Sequence, residues 1–331
     1  MLLLLLGCVA PKVSSPAPQS VSSARGGAEL VVRGSPSERA QAPPADLVLY
    51  YGGELGGSLE TCGCPDRPRG STARIATYLD AVQALRPDER RVLLMAGNVY
   101  EDAMGLDGAP RPEVAVMNRY VTQALDMLRV DVANIGYVDL PGALAEPTLP
   151  PWAVSANTSG LPSSRIVEVD GVRVGVVGIT KYGLTLEPTP GHAIQDPYRP
   201  GVAAIEALVP HSDVQVLLSY GAGQVAADIA RNTPALDVVI DADMHQGFFE
   251  PEIVGEAIWL RAPFQTRRLG ELRLALPPEG GVALIVDRRI DLDPELPDQP
   301  QMAALAAQAR EAIDAATVTS SGPGYVLEPG H

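Results

Sequence analysis

The chain has 331 residues, a formal net charge of −15, and an apolar fraction of 46%. Those values argue against disorder and leave room for one large α/β domain or two small ones. The acidic balance argues against a nucleic-acid partner, because neutralising phosphates needs surplus Lys and Arg, and the 5% of aromatic residues offers little for base stacking.

In chain order, the first informative segment is Leu5-Leu6-Gly7-Cys8. It resembles the lipobox of bacterial lipoproteins. The resemblance implies a signal over residues 1–8, lipidation of Cys8 after cleavage, and a body attached to the cell envelope that faces the periplasm or the exterior. No later stretch reaches the ~20 consecutive apolar residues that a membrane-spanning helix needs, so the expected membrane contact is the lipid anchor alone. Residues 9–45 are rich in Pro, Ser and Ala and lack apolar periodicity, which predicts a flexible tether.

The folded domain is expected over residues 46–318. Leu47 to Tyr51 reads as a buried strand. Ser71 to Leu85 has helical spacing at Ile75, Leu79, Val82 and Leu85. Arg91 to Ala96 reads as a strand, Glu113 to Leu128 as a helix, and Val130 to Ile135 and Trp152 to Ala156 as strands. Asp170-Gly171 between Ile166–Val169 and Val172–Ile179 predicts a hairpin. A short helix over Val202–Leu208, a strand over Val214–Ser219, a helix over Gly223–Arg231 and a strand over Val238–Ile240 follow. Residues 256–287 read as alternating strands with Leu269-Gly270 between them, then Pro300 to Thr317 as an Ala-rich helix and 319–331 as a loose tail. Strands alternating with helices, then late hairpins, predict an α/β sandwich of two mixed sheets flanked by helices.

In such folds chemistry sits on loops beyond the carboxyl ends of strands. Here those ends are Glu54-Leu55-Gly56, Gly97-Asn98, Gly136-Tyr137-Val138-Asp139, Ser219-Tyr220 and Asp243-Met244-His245. The last is where an α/β fold places metal ligands. Gly52-Gly53 and Gly56-Gly57 look like a phosphate-cradling loop, but no P-loop Lys-Ser/Thr follows, so a tight turn is the simpler reading. His192 and His211 lack ligand spacing and read as surface residues.

Gly57-Ser58-Leu59-Glu60-Thr61-Cys62-Gly63-Cys64 and Gly70-Ser71-Thr72-Ala73-Arg74-Ile75 resemble the opening of bacterial 5′-nucleotidase-like, calcineurin-type metallophosphoesterases. They resemble most an envelope branch with a Leu-Glu-Pro-Cys-Gly-Cys signature. Val154 to Asn157, Val172 to Thr180 and Leu269-Gly270 fit the same family. The resemblance implies a metallophosphoesterase-like sandwich and, in active members, two metal ions about 3.5–4 Å apart that need a bridging carboxylate between them.

Matched position by position, the ligand set is depleted. Where the family has Asp-x-His, this chain has Glu54 and Gly56. The bridging Asp becomes Asn98, a ligand amide becomes Tyr137, and the His that would protonate the leaving group becomes Val138. Another ligand His matches Tyr220, and of the final His-x-His the first matches Asp243 while His245 is retained. The expectation is a degenerate member without a catalytic dinuclear centre or a cofactor. At most one weakly bound divalent ion would be held by Glu54, Asn98, Asp243 and His245; the competing reading makes Asp243 and His245 ordinary loop residues. An active phosphoesterase with a single-metal site is the alternative.

Cys62 and Cys64 are the remaining candidates. A disulfide loop staple, reduced thiols in redox chemistry, and soft-metal handling all stay open. An envelope protein or a small molecule is the expected partner, with no nucleic acid.

Overall fold

The structure is a computed structural model; residues 30–62, 66–102, 111–145, 148–182, 191–242 and 250–320 are described. Cys8, Cys64, Asp243 and His245 lie outside them.

The strands form two mixed sheets. The first has the order β1 (Leu30–Val32), β13 (Ala283–Asp291), β12 (Arg268–Ala275), β2 (Leu47–Gly52), β3 (Arg91–Met95), β4 (Val132–Asn134) and β5 (Ala153–Val154). Within it β2 to β5 run parallel, β12 is antiparallel to both β2 and β13, and β1 lies parallel to β13. The second has the order β10 (Glu252–Val254), β11 (Ala257–Arg261), β9 (Val238–Ala242), β8 (Val214–Tyr220), β7 (Val172–Thr180) and β6 (Ser164–Val169). Its four central strands are parallel, and β10 and β6 pair antiparallel at its two edges. The helices are α1 (Pro36–Ala40), α2 (Thr72–Leu85), α3 (Pro112–Leu128), α4 (Leu140–Ala145), α5 (Tyr198–Leu208), α6 (Gly223–Asn232) and α7 (Pro300–Ser320). Among the described residues no helix is long and apolar enough to cross a membrane.

Layering follows from the two-residue period of a strand. Leu47, Leu49 and Tyr51 of β2 point into the space between the sheets, with Leu94, Val176, Val216 and Ile240. Val48 and Tyr50 point the other way, onto Ile75, Val121 and Leu305 of α2, α3 and α7. On the far side Leu217 and Val239 pack against Ile205 and Ile229 of α5 and α6. The central strands are thus buried on both faces, which is why they read as continuous apolar runs. The result is the expected sandwich of two mixed sheets flanked by helices.

Three expectations need correction. The tether does not reach Ala45: β1 and α1 occupy residues 30–40 and dock on the first sheet, with Arg39 fully buried. The docking combines strand pairing with β13, burial of Ala40 and ion pairs of Arg33 and Arg39, and the segment is too short for a hydrophobic period to announce it. Leu269-Gly270 does not lie between strands but inside β12, where Gly270 pairs with Tyr51 on β2. A Cβ at Gly270 would collide with the Tyr51 ring, so the glycine marks close packing. The short elements α4 and β10 are also absent from the sequence reading, being too brief to show a period.

Candidate functional site

The parallel strands deliver their carboxyl ends to one cleft of about 700 Å³. Glu54 follows β2, Asn98 follows β3, Tyr137 and Val138 follow β4, and Tyr220 ends β8; all five line it. Ser58, Glu60 and Cys62 come from the loop before α2, Glu101 and Asp102 from the loop after β3, and Gln265 and Arg267 from the approach to β12.

Backbone bonds lock the loops together. Glu54 N–H donates to Gly97 O at 2.9 Å, Gly56 N–H to Asn98 O at 2.8 Å, and Gly57 N–H to Val99 O at 3.0 Å. Both Glu54 and Asn98 are non-glycine residues in the left-handed region, with φ of 54° and 53°. That conformation costs roughly 1–3 kcal/mol and persists only where surroundings over-determine it. The Asn134 amide, on β4, donates to Ala96 O at 3.0 Å and to Ile179 O at 2.8 Å, so one side chain ties the first sheet to the second beneath the cleft.

Asp139 fixes the shape of two loops. Its carboxylate is fully buried and accepts backbone N–H bonds from Asn98, Tyr100 and Gly136, each at 2.8 Å. Burial pushes its pKa up to about 7, against the pull of these donors and of the Val99 N–H. Its acceptor capacity is directed at the backbone.

Tyr137 and Tyr220 stack with ring centroids 5.5 Å apart and planes tilted by 30°. Two glycines make room for them: a Cβ on Gly97 would stand 2.6 Å from Tyr220 Cβ, and one on Gly136 would run into the Tyr220 ring. Burial raises the Tyr220 phenol well above its ordinary pKa, with further upward pressure from Tyr137, Asp139 and Glu54, so it stays neutral.

The charges at the rim are mostly paired. Glu101 pairs with Arg111 at 3.2 Å, and Glu60 pairs with Arg310 on α7. Cys62 is half-buried, and its Sγ accepts the Arg69 N–H at 3.3 Å.

Of the predicted site residues, the structure brings Glu54, Asn98 and Cys62 to one cleft. His192 lies elsewhere, half-buried with Nδ1 2.9 Å from Ser159 O, and His211 is exposed. The lining by Glu101, Asp102, Gln265 and Arg267 and the anchoring role of Asp139 were missed. Only the Gly-Tyr-Val-Asp segment carried a signal for Asp139; the others sit in loops without a pattern.

The two metal ions implied by the resemblance need a bridging carboxylate and imidazoles. Among the described residues no three His, Cys, Asp or Glu side chains come together as a ligand set. At the matched positions stand an amide, Asn98, and a stacked pair of phenols. These residues do not fit a dinuclear centre.

No family model matches the sequence, and no curated protein matches it. Solved structures do resemble the fold. The sulfate thiohydrolase SoxB of Thermus thermophilus aligns with a TM-score of 0.68 at 17% identity over 82% of this chain and 61% of its own. A 5′-nucleotidase precursor, also from Thermus thermophilus, aligns at 0.67 with 18% identity, over 81% and 59%. The NAD nucleotidase of Haemophilus influenzae aligns at 0.66 with 14% identity, over 81% and 60%. This chain therefore spans about three fifths of the length of each. Its fold is that of the 5′-nucleotidase-like metallophosphoesterases.

Proposed function

We propose that this chain is a lipid-anchored envelope protein that uses the metallophosphoesterase fold as a binding or scaffold module and not as a two-metal hydrolase. The tyrosine pair carries the reading. Tyr137 and Tyr220 stack where the resemblance puts an amide ligand and an imidazole ligand, and Gly97 and Gly136 are fitted to the Tyr220 ring. Asn98 at the bridging position is neutral and cannot offset two dications. Val138 replaces the leaving-group acid, so general-acid catalysis has no donor there. The anchor is Cys8, the compartment is the periplasm or the exterior, and the partner is an envelope protein or a small molecule.

A second reading rests on one observation: Glu54 and Asn98 line the same cleft, and Asp243 and His245 follow β9 in sequence. Those four would form a single-metal site in a phosphoesterase. The cleft position of Cys62 keeps a thiol redox or metal-handling role as a third. The test is hydrolysis of nucleotides and p-nitrophenyl phosphate with added Mn²⁺, Mg²⁺ or Ca²⁺. No turnover above buffer is expected. Turnover that vanishes in Asp243→Ala would establish the single-metal esterase instead.

A further inference from the structure

Two carboxylates connect segments far apart in sequence. Asp291 closes β13 and Asp293 follows it, and both side chains are fully buried. Each offers one oxygen to the N-terminal segment and the other to the loop that carries Cys62. Asp291 Oδ2 receives Arg33 Nε at 2.9 Å, while its Oδ1 faces Arg69 Nε at 3.7 Å. Asp293 Oδ1 receives Arg39 Nη2 at 2.7 Å, while its Oδ2 pairs with Arg67.

The arrangement is reinforced on both sides. Arg39 also donates to Gly34 O at 2.6 Å and to Asp291 O, and the Arg288 guanidinium donates to Arg39 O at 2.7 Å. The capping box of Ser35 and Glu38 fixes the turn that presents Arg39. On the loop side, Gly70 N–H donates to Leu292 O and Cys62 N–H to Arg69 O, each at 2.8 Å. Cys62 then lines the cleft.

We infer that residues 30–40 act as a strap: through the shared carboxylates Asp291 and Asp293 they hold the Cys62 loop, and with it one rim of the cleft, in place. The physical reason is charge balance. Withdrawing the segment removes Arg33 and Arg39; Asp291 then keeps only Arg69 and Arg268, at 3.7 and 3.9 Å from Oδ1, and Asp293 keeps Arg67 and the Glu295 N–H, which favours rearrangement of the loop arginines and entry of water. Any event on the segment that precedes the domain therefore reaches the rim of the cleft as well as the sheet edge that β1 forms. The strap is independent of what the cleft binds.

The test is amide hydrogen exchange at Cys62 and Gly70 in the full chain. Arg39→Met is expected to accelerate exchange at both amides by about tenfold or more, through local opening. Arg33→Met, at a half-exposed arginine, is expected to accelerate it about twofold to threefold. Ile229→Ala removes packing from the layer between the second sheet and helices α5 and α6, away from the strap, and should leave both amides unchanged. Unchanged exchange in Arg39→Met and Arg33→Met would overturn the strap, as would equal acceleration in Ile229→Ala. Should Arg39→Met fail to fold, Arg33→Met against Ile229→Ala decides.

Discussion

The cleft and the ion cluster behind β12 both bury carboxylates, and they treat them in opposite ways. Behind β12, Glu271 is fully buried and meets Arg273 at 2.8 Å, Arg288 at 3.0 Å and the Tyr78 hydroxyl. Arg273 in turn reaches Glu89 at 2.7 Å. At the cleft, Asp139 is held by backbone N–H groups and sits near neutral phenols. The first region balances charge with charge and holds helix α2 and the strap to the sheet. The second spends its carboxylate on loop geometry.

The largest effect that tests this contrast is expected behind β12. Glu271→Gln leaves Arg288 as a buried cation without its carboxylate and Arg273 with Glu89 alone, and should cost about 3–5 kcal/mol of stability in denaturant titrations. A loss under 1 kcal/mol would mean that the cluster is hydrated and contributes little.

Asp139→Asn turns an amide donor toward backbone N–H donors. Each orphaned N–H costs about 1–3 kcal/mol, so a loss in that range is expected. The pH dependence has a definite sign. A carboxyl raised from 3.8 to about 7 binds its proton more tightly in the folded state. Its contribution to stability is full below about pH 4 and is lost as pH rises towards 7. The Asn variant should lack this falling component, so the difference between the two proteins narrows with rising pH over that window. A difference that widens would contradict the assignment. Asp293 behaves in the opposite way: burial pushes its pKa up, but Arg39 and Arg67 outweigh that and hold it below 3.8. Its contribution is present above that value and is lost in stronger acid.

A comparable effect is expected from Gly136→Ala, which drives a methyl group into the Tyr220 ring. Overpacking of this kind costs about 1–3 kcal/mol. In a Tyr220→Ala background the penalty should shrink, a coupling that a double-mutant cycle reads directly. Additive penalties would show that the ring does not fill this space. The smallest effect belongs to the exposed pair Arg173–Asp213, at 2.8 Å with both side chains more than two fifths exposed. Arg173→Ala should leave the midpoint of denaturant titrations nearly unchanged, and any difference should shrink in high salt.

Much of the fold was legible because both faces of the central strands are apolar, and apolar runs separated by helical spacing carry that signal without tertiary context. The strand-end loops were legible for the same reason: Glu54, Asn98, Tyr137 and Tyr220 all follow such runs and all line one cleft. Residues 30–40 were not legible, because Arg33 and Arg39 dock by ion pairs whose partners lie more than 250 residues away. Leu269-Gly270 was placed between strands because a glycine interrupts the apolar alternation until the Tyr51 ring across from it is seen. Gln265 and Arg267 reach the cleft from an irregular approach to β12, where neither period nor capping marks them.

Elemental analysis of the protein, purified from the envelope and dialysed after exposure to Mn²⁺ and Zn²⁺, tests most directly whether the cleft holds a dinuclear metal centre. Fewer than one equivalent of divalent metal per chain is expected, with no change on Glu54→Gln. Two equivalents per chain, lost together in Glu54→Gln, would contradict the proposed function.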